Sequence, residues 1–217
     1  MAIRKVYRVN EKDGNYVDKI DIEFKWNSGF SVVQKQKNIT NLHNEYSKIY
    51  KDDKILEIST KSKDELGVRL SAFNLAFLTK NNKRITVESA FQSSKKFKNG
   101  GPYKDILTMD SRSAKKDERL KNSGELVSFV VKDYEWPLTP NTLFYDWIYM
   151  NSLHQNEDLV NQIINYNAFT DIEFNPNKSI NCQAYSAALY VSLFKRGLID
   201  EVLSCRDTYI DFFVKNN

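Results

Sequence analysis

Histidine and cysteine are nearly missing from this chain, with two of each among 217 residues. His43 and His154 stand apart from Cys182 and Cys205, so the clustered His/Cys set of a zinc site has no material to draw on. A protein with no metal and no cofactor is expected. Two cysteines make no disulfide framework; reduced thiols, each packed as a small core residue, and a cytoplasmic setting are the expectation. No apolar run approaches the roughly 20 residues of a membrane span, and residues 1–7 lack the apolar stretch of a secretion signal, so no membrane partner is expected. The phosphate loop G-x-x-x-x-G-K-[ST], the dinucleotide fingerprint G-x-G-x-x-G and the nucleophile elbow G-x-S-x-G are absent. The commonest nucleotide-binding and hydrolase classes are thereby removed. No Pro- or Ser-rich linker, low-complexity segment or internal repeat divides the chain.

What is present supports a packed globular fold. Hydrophobic residues make up 41% and aromatics 13%, enough for a substantial core. The net charge of +4 permits contact with a polyanion without demanding it. Alternation over residues 17–26 puts Ile20, Ile22, Phe24 and Trp26 on one face of a strand, and Asp13-Gly14-Asn15 reads as the turn of a hairpin with residues 6–10. Residues 31–49 read as a helix, 55–60 as a short strand, and 70–78 as loop plus strand. Asn99-Gly100-Gly101-Pro102 is a break. Residues 110–122 read as one charged helix closed by Gly124, and Thr139-Pro140 as the start of the next. Helices over 158–166 and 182–194 flank a polar loop at 169–180, and a short element follows residue 200. The expected fold is α+β and mostly helical with a few short strands. It forms a single domain over residues 1–217, with an extension over about 1–60 and a core over about 61–217.

Residues 87–97 carry the chemistry. Read as a helix, they place Val87, Ala90, Phe91, Ser94 and, one residue on, Lys98 on one side, with Glu88, Gln92 and Lys95 along its flank and Lys96 facing solvent. In that helix Glu88 and Lys95 lie two turns apart, about 10 Å along the axis. A structural role is also open. Thr86 can cap the helix, which puts Glu88 where a carboxylate complements the macrodipole, and Lys95 and Lys96 sit near the cation-favouring end.

Several segments together resemble a known family. Leu70-Ser71-Ala72-Phe73-Asn74-Leu75, Thr86-Val87-Glu88 and Phe91-Gln92-Ser93-Ser94-Lys95 resemble the NADAR pattern of F-S-N-F followed by E-h-x-F-Q-a-x-K-F. Asp171 stands at its D-x-x-W-G segment, and Asn181-Cys182-Gln183-Ala184 near its G-x-N-x-L-G segment. Phe24-Lys25-Trp26, Gln34-Lys35-Gln36-Lys37, Gly100-Gly101-Pro102-Tyr103, Phe144-Tyr145-Asp146-Trp147 and Asp171-Ile172-Glu173-Phe174-Asn175-Pro176 are similar to the NADAR antitoxins that accompany DarT-type DNA ADP-ribosyltransferases. Two positions depart from the pattern: Phe174 stands for Trp and Asn175 for Gly.

The resemblance implies a NADAR (YbiA-like) fold and hydrolysis of the N-glycosidic link between ADP-ribose and guanine in DNA. Such an enzyme reverses a DarT-type toxin, as its antitoxin or as a phage counter-defence. It also implies the partners, ADP-ribosylated DNA or ADP-ribose and a DarT-type toxin. A glycosidase of a phosphoribosyl intermediate in the riboflavin pathway and a non-catalytic module that binds ADP-ribosylated DNA are the alternatives. By match, Glu88 would activate water or stabilise an oxocarbenium ion. Lys95 would form a Schiff base with an opened ribose or neutralise a diphosphate. Asp171 would bind ribose hydroxyls or assist catalysis, against the ordinary role of a loop Asp as a turn former or cap. Phe73, Asn74, Gln92, Glu173 and Phe174 are candidate ligand contacts. Trp147 is either core or a base-stacking platform. Lys96, Lys98, Arg112, Lys115, Lys116 and Arg119 are candidate phosphate contacts, against the plain reading of a solvated face.

Overall fold

The protein is described by a computed structural model over residues 1–12, 14–175 and 179–215. Asp13 of the expected hairpin turn and Pro176 of the quoted motif lie outside the described residues. In chain order, β1 (Ala2–Val9), β2 (Val17–Phe24), α1 (Val32–Ile49), β3 (Ile55–Glu57), α2 (Glu65–Arg69), β4 (Ala76–Leu78), β5 (Arg84–Thr86) and α3 (Val87–Ser93) come first. β6 (Lys95–Phe97), a 3₁₀ turn (Lys104–Thr108), α4 (Ser111–Lys116), α5 (Arg119–Asn122), β7 (Leu126–Val131), β8 (Tyr134–Trp136) and α6 (Leu143–His154) follow. α7 (Glu157–Ile163), β9 (Ala168–Thr170), α8 (Gln183–Lys195), α9 (Ile199–Val202) and α10 (Arg206–Lys215) complete an α+β fold in which helix predominates. Among the described residues no helix is long and apolar enough to cross a membrane.

By contact the chain forms two compact units, residues 1–71 with 157–201 and residues 72–156 with 202–217. The first is built on a four-stranded sheet in the order β2-β1-β9-β3, antiparallel except for the parallel β9–β3 pair. The alternation in β2 aims Ile22 and Phe24 at one face, where they pack with Val6 of β1 and with Ile39, Leu42 and Tyr46 of α1. Successive side chains of a strand point oppositely, so Tyr7 lies on the other face, edge-on to Tyr185 of α8 at 5.8 Å. Ser31 caps α1 by accepting from the Gln34 amide at 3.3 Å. The parallel register sets Glu57 beside Thr170.

The second unit holds the β4–β5 hairpin, an antiparallel sheet β6-β7-β8, and α3 and α10 packed against α6. α6 is buried almost all round, and Phe91, Phe129, Trp136, Phe144, Trp147 and Tyr209 form an aromatic core about it.

The helices at 31–49 and 182–194 are found within one or two residues; the helix expected at 158–166 ends at Ile163, and the expected hairpin forms with its first strand extended back to Ala2. Five expectations change. The helix expected over 87–97 stops at Ser93, because Lys95 pairs with Phe129 of β7 and Val130 N donates to Ser94 O at 2.7 Å. The Ser93 and Ser94 hydroxyls both donate to Ala90 O, a competition that ends short helices. Gly101 (φ +75°) makes room for this strand, since a Cβ there would overlap the Lys95 carbonyl oxygen. The charged helix at 110–122 is broken at Asp117 (φ −55°, ψ 122°), whose Oδ1 accepts from Arg119 N at 3.0 Å; Gly124 (φ +82°) follows the end of α5 as expected. Thr139-Pro140 precedes α6 by a full turn, and the helix begins at Leu143. The loop expected from 169 opens instead with β9, an interior strand of the first sheet. Cys182 is buried at the start of α8, whereas Cys205 is exposed rather than core; both are free thiols.

Candidate functional site

Glu88 is placed by the start of α3. Thr86 leaves β5 in extended conformation and caps the helix by accepting from Ser89 N at 3.2 Å. Ser111 at the start of α4 lies 2.8 Å from both Phe73 O and Thr86 Oγ1, and Ser89 Oγ donates to Met109 O at 2.9 Å. These bonds tie α4 to α3. The Glu88 amide donates to Ala72 O at 2.9 Å, and the residue is only 5% exposed. A carboxylate buried to that degree needs partners. Gln92 Nε2 donates to Glu88 Oε1 at 2.8 Å, and Lys115 Nζ stands 3.8 Å from the same oxygen.

The end of the helix changes where Lys95 lies. As the first residue of β6 it no longer stands two turns up the helix. Its Nζ sits over the Phe91 ring, 4.8 Å from the centre, within the electrostatic reach of Glu88 and Lys115. Lys95 forms no ion pair with a described residue. Burial, with the Lys115 charge, lowers its pKa despite the opposing pull of Glu88. An amine with a lowered pKa is more often the free base, which is the nucleophilic form. Lys115, one of the candidate phosphate contacts, lies in this cluster: besides standing near Glu88 it covers the Phe73 ring at 5.0 Å. Gln92 spends Nε2 on Glu88 and leaves Oε1 buried with no partner. An acceptor in that state costs about 1–3 kcal/mol unless a donor meets it, so it suits a ligand hydroxyl or amine. Glu88, Gln92, Lys95, Lys115 and Phe73 thus form one cluster in the second unit.

A second group lies in the first unit, around Asp171. Its Oδ1 accepts from Glu173 N at 3.0 Å and Phe174 N at 3.1 Å, and its carboxylate also takes a bond from Gln183. Glu57, which the sequence reading passed over, holds both neighbours of Asp171. Thr170 Oγ1 donates to Glu57 Oε2 at 2.6 Å, and Ile172 N donates to Oε1 at 2.8 Å. His43 Nε2 lies 2.8 Å from Thr170 Oγ1. With the threonine proton on Glu57, His43 is the donor and is neutral; burial, then the charge of Lys63, lowers its pKa to about 4. A single acid inside the apolar run Ile55-Leu56-Glu57-Ile58 was the available signal, since such a carboxylate is costly without a designed set of donors.

Desolvation, then the nearby charge of Glu57, pushes the Asp171 carboxyl up to about 8. The native state therefore keeps a proton that the unfolded chain releases. Its stabilising effect is full below about pH 4 and is lost as pH rises through about 8. Wild type should lose Tm relative to Asp171→Asn between pH 5 and pH 8.5. His43 contributes in the opposite sense to both proteins and cancels in the difference. Scanning fluorimetry of the two proteins across this range checks it, and a constant Tm difference would show that the buried Asp171–Glu57 pair takes up no extra proton on account of Asp171.

The remaining candidates are placed variously. Glu173 pairs with Lys35 at 2.9 Å, and Phe174 is half-buried. Asn74 is half-buried and its carbonyl accepts from Arg84. Trp147 is half-buried, with its ring 5.6 Å from Trp136 and 4.8 Å from Tyr209. Lys96 pairs with Glu135 at 3.2 Å. Arg119 is held by Asp105 and Asp117, at 2.6 and 2.7 Å. Lys98, Arg112 and Lys116 are exposed.

No curated protein matches this chain. One family model does, described as the DarT1-associated NADAR antitoxin, and it covers residues 2–217. A match over nearly the whole length, with the motif residues Glu88, Gln92 and Lys95 gathered in one cluster, shows that the chain belongs to the family of DarT1-associated NADAR antitoxins.

Proposed function

We propose that this protein hydrolyses the N-glycosidic bond between ADP-ribose and guanine in ADP-ribosylated DNA, and so undoes the action of a DarT-type toxin. One observation carries the reading: a buried carboxylate, Glu88, and a desolvated amine, Lys95, share a cluster with an unpartnered acceptor, Gln92 Oε1. Cleavage of a C–N glycosidic bond builds positive charge at the anomeric carbon and negative charge on the departing base. Glu88 supplies the carboxylate for the first. Lys95 adds to C1′ as the free amine, guanine leaves with a proton, and the ribose ring opens to a C1′–Nζ Schiff base. Water then hydrolyses that imine to ADP-ribose and the free lysine. The lowered pKa of Lys95 favours this over charge pairing with a diphosphate, for which a fully charged exposed lysine serves better. The two protons of the attacking amine balance the step, one leaving with guanine and one passing to the ring oxygen as it opens.

The test is direct. Incubation with an oligonucleotide bearing ADP-ribosylated guanine should give free ADP-ribose and an unmodified strand. Turnover of a free phosphoribosyl nucleotide but not of the strand would favour the small-metabolite reading. Tight binding without turnover, surviving loss of Glu88, would favour a sequestering module. A further expectation is that activity persists in excess chelator, since none of the proposed steps draws on a metal. Loss on chelation, restored by one divalent ion, would overturn it.

A further inference from the structure

The first unit contains a basic cavity that the proposed chemistry does not use. About 300 Å³ in volume, it is lined by Lys25, Asn27, Lys37, Thr40, Asn41 and Lys63, with no acid among them. Lys37, Thr40 and Asn41 lie at i, i+3 and i+4 on α1, so they share a face. The opposite wall is fixed rather than loose. Asn41 Nδ2 donates to Lys25 O at 2.7 Å, Asn38 Oδ1 accepts from Asn27 N at 2.7 Å, and Asn38 Nδ2 donates to Asn27 O at 2.9 Å. Lys63 Nζ donates to Thr40 Oγ1 at 2.7 Å, which aims its charge and leaves two protons unspent. Nearby Lys35 is taken by Glu173, whereas Lys25, Lys37 and Lys63 form no ion pair with a described residue.

Three ammonium groups around one cavity repel one another unless an anion joins them. The Asn27 and Asn41 amides beside them suit an anion with several acceptor oxygens, the Thr40 hydroxyl proton being spent on Gln36 O at 2.9 Å, and the volume exceeds what one phosphate fills. We propose that this cavity is a phosphate-binding subsite that seats the backbone of the nucleic-acid strand. The affinity for phosphate follows from the cavity; the choice of a strand as its source rests on the function proposed above.

Anisotropy with a labelled, unmodified single-stranded oligonucleotide tests it without turnover, so failure of the hydrolytic reading and failure of this one remain separate. The probe variant carries Lys25→Gln, Lys37→Gln and Lys63→Gln. All three side chains are exposed, so folding should be kept, with Tm as the check. A control of equal charge carries Lys12→Gln, Lys51→Gln and Lys80→Gln, which are also exposed. The pocket variant should lose at least about tenfold in affinity, with the slope of log K against log salt falling by about 0.7 per phosphate contact removed. The control should stay within about twofold of wild type. Equal losses in both variants, or none in either, would overturn the proposal. Titration with ADP-ribose and with inorganic pyrophosphate separates the sources. Loss of ADP-ribose binding with strand binding retained would keep the phosphate site but reject the strand as its occupant.

Discussion

Glu88→Gln is expected to give a folded protein that still binds ADP-ribose but releases it from modified DNA at well under a tenth of the wild-type rate. A loss of about 10²- to 10⁴-fold is the range for removing a positioned acid–base group. The fold should survive for local reasons. An amide at position 88 can still accept from Gln92 Nε2 through its oxygen, and the Thr86 cap and the Glu88 N to Ala72 O bond do not involve the carboxylate. What is lost is the interaction of a carboxylate with the first turn, about 0.3–1 kcal/mol. The longer contact to Lys115, itself more than half exposed, adds little. Release of ADP-ribose and Tm, measured on the same preparations, separate the two effects. Turnover above a tenth of wild type would remove Glu88 from catalysis and return it to the capping role that its place at the helix start also suits.

How much of this was legible before the structure follows from which forces are local. The β1–β2 hairpin was readable because alternation of Ile20, Ile22 and Phe24 is written within one strand, and α1 because its cap and its apolar stripe lie within eighteen residues. The end of α3 was not. Residues 94–97 satisfy a helical wheel, and what overrules it is pairing with β7, some thirty residues downstream. The same blindness hid β9, whose place in the sheet is fixed by partners in β1 and β3. In the candidate site Glu88 and Gln92 stand one turn apart on α3, as a helix requires, whereas Lys95 is carried by the strand rather than by a further turn. Glu57 and His43 were invisible as a pair because a hydrogen-bond chain through Thr170 joins residues more than a hundred positions apart. The nearness of Lys115 to Glu88 was not legible, since the bonds of Ser111 to Phe73 and Thr86 and of Ser89 to Met109 O are what bring that helix against α3.

The sharpest separation of roles is expected from adjacent lysines. Lys95 and Lys96 are consecutive residues of β6, so their side chains leave opposite faces of the strand. Lys95 goes over Phe91 toward Glu88, and Lys96 goes to Glu135 at 3.2 Å, with 42% of its side chain exposed. A surface pair of the latter kind is worth about 0–1 kcal/mol, so Lys96→Ala should leave turnover within about twofold. Lys95→Ala removes the amine whose pKa burial has lowered, and turnover should fall by at least about 10³-fold if a covalent step is lost. Lys95→Arg should not rescue it, because a guanidinium stays protonated and cannot form a Schiff base, though it would serve well as a diphosphate contact. Borohydride added during turnover should trap a covalent ADP-ribose adduct on wild type and on Lys96→Ala but not on Lys95→Ala. Trapping that persists in Lys95→Ala would move the nucleophile to another amine, with Lys115 next in line at 3.8 Å from Glu88. Activity restored by arginine, with no adduct on wild type, would make Lys95 a charge contact and leave the chemistry to water and the carboxylates.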